Sequence, residues 1–277
     1  MTGKVARADT PEAGDELLAM ALTAAREASE IVYAGWRKRP AIEHKGVVDL
    51  VTIYDRESER FLRDRLTSKT SFPFVGEELG GVRAPEGPTW YVDPLDGTTN
   101  FVHGHPFFCV SIGLVQGSDP MLGVVVAPAL RTEWTGIHLP GREPAATRDG
   151  VPCSVSDVSR FADALLATGF PYDRRTSADN NFEAFVAIKK QAQAVRRCGS
   201  AAIDLCFVGD GTYDGYWERK LKPWDLAGGA AVVLGGGGRI SAYEGGATDF
   251  TTGHIVATNG KIHGALVEAL AAVPPRR

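Results

Sequence analysis

The chain of 277 residues is 44% hydrophobic and 23% charged, with a formal net charge of -4. Such a length buries a sizeable core without disulfide or metal staples, and such a composition excludes extended disorder. The slight acidity leaves no clustered basic field for a phosphate backbone, which argues against nucleic-acid binding as the main role. From the N-terminus, Leu18, Leu22, Ala25, Val32 and Trp36 recur at spacings of three, four or seven. That is the apolar stripe of one long amphipathic helix, expected to lie on a sheet. A second helix is expected from Asp55 through Leu66, with Asp55 either capping it or facing a site at its start.

Apolar runs at 74–75, 90–92, 107–115 and 122–127, separated by Gly, Pro and Asp, predict strands of a mixed sheet. Between Leu139 and Val155 the composition turns to Gly, Pro, Arg and Asp and the apolar pattern is weakest, which suggests a boundary near residue 155. An N-terminal α+β half, 1–155, and a C-terminal α/β half, 156–277, are expected to form one catalytic unit. The second half alternates an apolar segment at 164–167, helices over 181–193 and 200–208, and a strand over 213–218. Pro223 suits the first turn of a further helix, which Gly235 to Gly238 should end before a strand at 239–242.

The four cysteines, Cys109, Cys153, Cys198 and Cys206, have no Cys-x-x-Cys spacing, so neither zinc nor a disulfide framework is indicated and a reducing cytoplasm is expected. No apolar run reaches eighteen residues and the N-terminus lacks a signal-peptide core, so a soluble, unexported protein with no membrane partner is expected.

The chemistry concentrates in acids at the ends of apolar strands. Trp90-Tyr91-Val92-Asp93-Pro94-Leu95-Asp96-Gly97-Thr98-Thr99-Asn100 reads as a strand that delivers two acids and then turns into a helix. Asp93 and Asp96 can converge on one cation, the Leu95 carbonyl can join them, and the amides of Gly97 and Thr98 can face a phosphate. Magnesium prefers such hard oxygen ligands and keeps waters, so a few carboxylates and substrate oxygens make a plausible set. An Asp-x-x-Asp pair alone is more often a solvated turn or a helix cap. Two further segments change that balance. Phe74-Val75-Gly76-Glu77-Glu78-Leu79 again sets acids after an apolar strand, and Lys222-Pro223-Trp224-Asp225-Leu226-Ala227-Gly228-Gly229 sets an acid in a helix's first turn.

Gly76-Glu77-Glu78, the run 93–100 and Trp224-Asp225-Leu226-Ala227-Gly228-Gly229 resemble, in order and separation, the three signature segments of the inositol monophosphatase family. The similarity runs from Asp49-Leu50-Val51-Thr52 through Gly199-Ser200-Ala201-Ala202 to the C-terminal region, nearly the whole chain. The resemblance implies a layered αβαβα sandwich of the type shared with fructose-1,6-bisphosphatase, usually dimeric. It also implies a magnesium-dependent, lithium-sensitive phosphatase for a small phosphorylated polyol, myo-inositol 1-phosphate foremost. Two or three magnesium ions are implied: Glu77, Asp93 and the Leu95 carbonyl for the first, Asp93, Asp96 and Asp225 for the second, and a weaker third near Glu77. Thr98 and Asp55 would orient the attacking water, with Glu77 close by. Asp96, Gly97, Thr98 and Asp225 would contact the substrate phosphate and its surroundings, and Gly199, Ser200, Ala201 and Glu218 its alcohol.

Relatives that act on fructose 1,6-bisphosphate, histidinol phosphate or nucleotide 3'-phosphates share nearly the same metal site, and Lys222 and Arg196-Arg197 add charge suited to a second anionic group. Some bacterial relatives also act through protein partners in RNA metabolism. The intact set Glu77, Asp93, Asp96 and Asp225 argues against a purely noncatalytic role. Plainer roles stay open for several residues: an N-cap for Asp55 or Ser200, worth about 1 kcal/mol, and a surface ion pair for Glu218 with Arg219, Lys220 or Lys222. Glu78 would support rather than ligate, and Lys45 would be an ordinary surface residue. His103 and His105 are expected to pack or hydrogen-bond rather than ligate, 235–238 to reverse the chain without a Walker lysine, and Phe101, Phe107 and Phe108 to fill the core beneath the site.

Overall fold

The computed structural model describes residues 10–38, 42–44 and 50–273. Lys45 and Asp49 lie outside the described residues. The apolar stripe folds as α1 (Pro11–Gly35), capped by the Thr10 hydroxyl. A two-residue ladder of β1 (Glu43–His44) and β2 (Leu50–Val51) leads into α2 (Ile53–Lys69). This second helix starts two residues earlier than the sequence suggests, because Thr52 supplies the cap. Its hydroxyl accepts the Tyr54 amide at 3.2 Å, and Asp55 reaches back to the Thr52 amide at 2.8 Å, closing a capping box.

Seven strands follow in one sheet, in chain order: β3 (Phe74–Gly76), β4 (Pro88–Asp96), β5 (Cys109–Gln116), β6 (Asp119–Ala127), β7 (Thr132–Ile137), β8 (Ala145–Arg148) and β9 (Val151–Cys153). The β3–β4 pair is parallel and the rest are antiparallel. The stretch 139–155, weakest in apolar pattern, supplies β8 and β9. Both are short, and Val151 is 65% exposed, so this edge buries too little to leave an alternating pattern. The short α3 (Thr98–Val102) leaves the end of β4.

The second sheet has β10 (Leu165–Thr168), β11 (Ala194–Arg196), β12 (Gly215–Glu218), β13 (Arg239–Ser241) and β14 (Ile255–Thr258), in the order β11-β10-β12-β14-β13. Its helices are α4 (Phe182–Lys189), α5 (Ala201–Gly209), α6 (Pro223–Gly235) and α7 (His263–Ala271).

Side-chain alternation sorts these elements into five layers. Trp90 and Val92 of β4 pack with Leu17, Ala21, Leu62 and Leu66 of α1 and α2. Tyr91, on the opposite face, packs with Leu205 of α5 and Leu226 and Ala230 of α6, which also meet Tyr216 and Ala257 of the second sheet. Trp217 and Val256 point the other way, to Ile188 of α4 and Leu266 of α7. The result is an αβαβα sandwich with α5 and α6 between the sheets. Backbone contact sets the middle spacing. A Cβ on Gly113 would lie 2.4 Å from the Ala227 Cβ, and one on Gly123 would lie 2.2 Å from the Gly228 carbonyl oxygen. Small residues in Leu226-Ala227-Gly228-Gly229 thus let α6 lie directly on β5 and β6.

Candidate active site

Two of the acids come from β4, where an irregularity puts them on one side. Asp93 is opposite Ser111 and Asp96 opposite Cys109, so three steps on β4 match two on β5. In a regular ladder residues three apart face opposite ways; the extra residue turns Asp96 to the side of Asp93, facing α5 and α6. Gly97 then takes φ 91°, where a Cβ would come within 2.8 Å of the Phe107 carbonyl oxygen. Glu77 follows β3, whose parallel pairing sets Gly76 beside Val92. Asp225 lies in the first turn of α6. Glu77, Asp93, Leu95, Asp96 and Asp225 line one pocket. Gly97, Thr98, Gly199, Ser200, Ala201 and Glu218 line it too.

Asp93, Asp96 and Asp225 are each steered by a further contact. Asp93 Oδ1 accepts the Leu95 amide at 2.9 Å. Asp96 Oδ2 accepts the Ser200 hydroxyl at 2.6 Å and the Ala202 amide at 2.8 Å. Asp225 Oδ2 accepts the Lys222 amide at 2.7 Å. The Ser200 hydroxyl also accepts the Ile203 amide at 3.3 Å, so it caps α5 as well as serving Asp96.

Asp55 is 1% exposed and does not line the pocket itself, but it reaches it through Thr98. Asp55 Oδ2 accepts both the amide and the hydroxyl of Thr52, while Oδ1 lies 3.2 Å from the Thr98 hydroxyl. That hydroxyl is also 3.0 Å from the Leu95 carbonyl oxygen. Capping and a position behind the pocket therefore coexist in Asp55. Glu218 is buried and accepts the Tyr216 hydroxyl. The basic residues after it are engaged elsewhere, Arg219 with Asp179 and Lys220 with Asp173, so Glu218 is no surface ion-pair partner of theirs.

Several residues that hold this arrangement are not among those singled out from the sequence. Glu59 of α2, fully buried, accepts the Glu78 amide at 2.6 Å and the Leu79 amide at 2.8 Å, fixing the turn that presents Glu77. A Cβ on Gly76 would lie 2.1 Å from Glu59 Oε1, which is why this turn opens with glycine. Asn100 shares its amide hydrogens among the carbonyls of Phe107, Cys198 and Gly199, tying the turn after β4 to the one before α5. A buried acid one turn beyond the Asp55 cap is the clue to Glu59, since an acid on an apolar stripe needs a partner. His105 accepts the Phe107 amide at 3.4 Å, and Phe101, Phe107 and Phe108 are buried below.

Burial dominates the electrostatics, and repulsion between neighbouring acids adds to it at Asp93 and Asp225. Burial, then the charges of Glu77, Asp96 and Asp225, push the Asp93 carboxyl well above the usual range. Burial and the charges of Glu77 and Asp96 do the same to Asp225. Burial lifts Asp96 to about 6 against the Ser200 and Ala202 bonds, Asp55 to about 6, and Glu218 to about 7. Among the described residues no three or more His, Cys, Asp or Glu side chains already meet in a geometry that holds an ion by themselves. The donor set nevertheless fits a hard divalent cation, because acids from three segments line the pocket with Leu95 and their charges raise Asp93 and Asp225. Positive charge between them would reverse the repulsion, and waters or phosphate oxygens would be left to complete the coordination.

Known proteins resemble the chain over nearly its whole length. The inositol monophosphatase family model matches residues 14–274. An inositol-1-monophosphatase of Synechocystis sp. is 42% identical over 93% of this chain and 89% of its own. Inositol monophosphatase 3 of Solanum lycopersicum is 40% identical over 92% of this chain and 97% of its own. The solved inositol monophosphatase of Anabaena (Nostoc) sp. superposes with a TM-score of 0.84 at 38% identity, over 94% of this chain and 97% of that one.

Proposed function

The chain belongs to the inositol monophosphatase family and is a phosphomonoesterase, and we propose that it hydrolyses a small phosphorylated polyol, myo-inositol 1-phosphate foremost, with magnesium in the acidic pocket. The observation that carries this is the convergence of Glu77, Asp93, Asp96 and Asp225 on one pocket, where burial and the neighbouring acids raise the affinity of Asp93 and Asp225 for positive charge. Glu77, Asp93 and the Leu95 carbonyl would hold one ion, and Asp93, Asp96 and Asp225 would hold a second. When bound, magnesium supplies polarisation of the phosphate and acidification of water.

The chain's own residues do the rest. The attacking water donates a hydrogen bond to the Thr98 oxygen, which aims the water's lone pair at phosphorus. As the water attacks, its proton moves to that oxygen while the Thr98 hydroxyl proton moves to Asp55 Oδ1, 3.2 Å away, and the departing alcohol oxygen takes a proton from a second water. The amides of Gly97 and Thr98 hold the phosphate. Glu218 and the turn Gly199-Ser200-Ala201 receive the alcohol, with the Ser200 hydroxyl acting through Asp96. The chain works as a homodimer, an expectation from its family, in a reducing cytoplasm, supported by four free thiols.

Phosphate release from inositol, sugar, histidinol and nucleotide phosphates, with magnesium, with chelator and with lithium, tests this reading. Magnesium-dependent turnover led by myo-inositol 1-phosphate and lowered by lithium is expected. No magnesium-dependent release from any of them overturns it. Asp93→Asn should nearly abolish turnover in a folded protein; near-normal rates would remove Asp93 from the shared position.

A further inference from the structure

Asp204 sits in the first turns of α5, four residues after Ser200 and on the same helix face, and it lines the pocket. It is 2% exposed, and its Oδ1 is buried with no hydrogen-bond partner among the described residues. The neighbouring carboxyls are all engaged: Asp96 by Ser200 and Ala202, Asp225 by Lys222, and Glu218 by Tyr216. A buried carboxyl oxygen without a donor costs on the order of 1–3 kcal/mol or more, so it calls for a ligand that brings the donor.

The surroundings say which kind of ligand. Burial, then the charge of Glu218, then that of Asp96 push the Asp204 carboxyl well above its usual range, while Arg197 at the rim opposes them. Asp204 and Glu218 thus face the same part of the pocket, and both are acceptors when ionised. A second phosphate, ionised near neutral pH, would bring acceptors and no donor there. Neighbouring hydroxyl groups on one carbon skeleton supply donors to both at once and carry no charge.

We propose that Asp204 is a specificity-determining residue that accepts hydrogen bonds from the hydroxyl groups of the substrate's alcohol, beside Glu218 in one subsite. The proposal rests on the reading of the substrate as a phosphorylated polyol. It assigns the inner wall to hydroxyl recognition and leaves Lys222, exposed on the rim, as the position suited to an additional anion.

The test compares wild type, Asp204→Asn and Asp204→Ala on myo-inositol 1-phosphate and on phenyl phosphate, whose alcohol has no further hydroxyl, with magnesium present. The Ala variant should raise KM for the inositol phosphate about tenfold with kcat changed less than threefold, and both constants for phenyl phosphate should stay within about twofold. Free myo-inositol should weaken in parallel as an inhibitor of phenyl phosphate turnover. The Asn variant, which keeps an acceptor of the same shape, should fall between; if the Ala variant does not fold, the same split in the Asn variant decides. Equal losses on both substrates, or no change on either, would overturn the proposal while wild-type preference for the polyol phosphate upholds the functional reading. A wild type that cleaves phenyl phosphate but no polyol phosphate overturns both.

Discussion

The Ser200 hydroxyl donates to Asp96 Oδ2 at 2.6 Å while accepting the Ile203 amide at 3.3 Å, so one side chain caps α5 and holds a candidate metal ligand. Ser200→Ala removes both bonds. The cap and the bond to a carboxylate together should cost about 1–2 kcal/mol in urea unfolding with chelator present. Loss of a supporting bond to a ligand should also raise the magnesium concentration for half-maximal rate about tenfold or more. Ser200→Thr keeps the hydroxyl and should restore most of both. Lower stability with unchanged magnesium dependence would reduce Ser200 to a cap.

Thr98 has one hydroxyl proton and two acceptors, Asp55 Oδ1 at 3.2 Å and the Leu95 carbonyl at 3.0 Å. In the proposed reaction the proton goes to Asp55, so the two residues act as one unit. Thr98→Ala and Asp55→Asn should each lower kcat by about 10²–10⁴, and the double variant should lose little more than the worse single one. Single-turnover rates on the four proteins measure the coupling. Strictly additive losses would separate Asp55 from the path through Thr98.

Asp225 is placed by how closely α6 lies on the sheet. A Cβ on Gly123 would meet the Gly228 carbonyl oxygen at 2.2 Å, backbone that cannot turn aside. Gly123→Ala should therefore cost about 1–3 kcal/mol and move Asp225 enough to lower the rate, although residue 123 touches no substrate. Gly264→Ala in α7 is the contrast, because nothing lies within 4 Å of its added Cβ. It should be neutral or stabilise by up to about 1 kcal/mol. Thermal melts and kcat for both variants check the pair; an unaffected Gly123→Ala would show that the helix is free to shift.

The residues legible in the sequence were those whose position repeats a simple rule. Asp93, Asp96, Glu77 and Asp225 follow apolar strands or open a helix, and the four meet in the pocket. What escaped depends on contacts between distant segments. The irregularity that turns Asp96 beside Asp93 needs the partner strand to be seen. Glu59 and Asp204 occupy apolar helix faces, and only folding shows that one meets two amides and the other meets no donor. Strands β8 and β9 escaped because an exposed edge imposes no period-two pattern.

The raised carboxyls also set how stability depends on pH. Asp55 lies at about 6 and Glu218 at about 7 in the folded chain, above the ordinary 3.8 and 4.5, with burial the first cause in each. The folded state then binds more protons than the unfolded state between about pH 4 and 7. Stability without metal should fall as pH rises through that window, by about 1.4 kcal/mol per pH unit for each net proton, with His263, lowered by burial to about 4, opposing it in part. Asp93 adds in the same direction because its carboxyl is also raised. Magnesium favours the ionised acids, so at pH 8 it should restore stability, by about 2.7 kcal/mol at a hundredfold excess over its Kd, and at pH 5 by much less. Urea unfolding at pH 5 and pH 8, in chelator and in magnesium, supplies the four values needed. Stability that climbs from pH 5 to pH 8 in chelator would mean that the pocket's acids are stabilised by neighbours rather than strained by one another, and the case for a cation there would lose its physical basis.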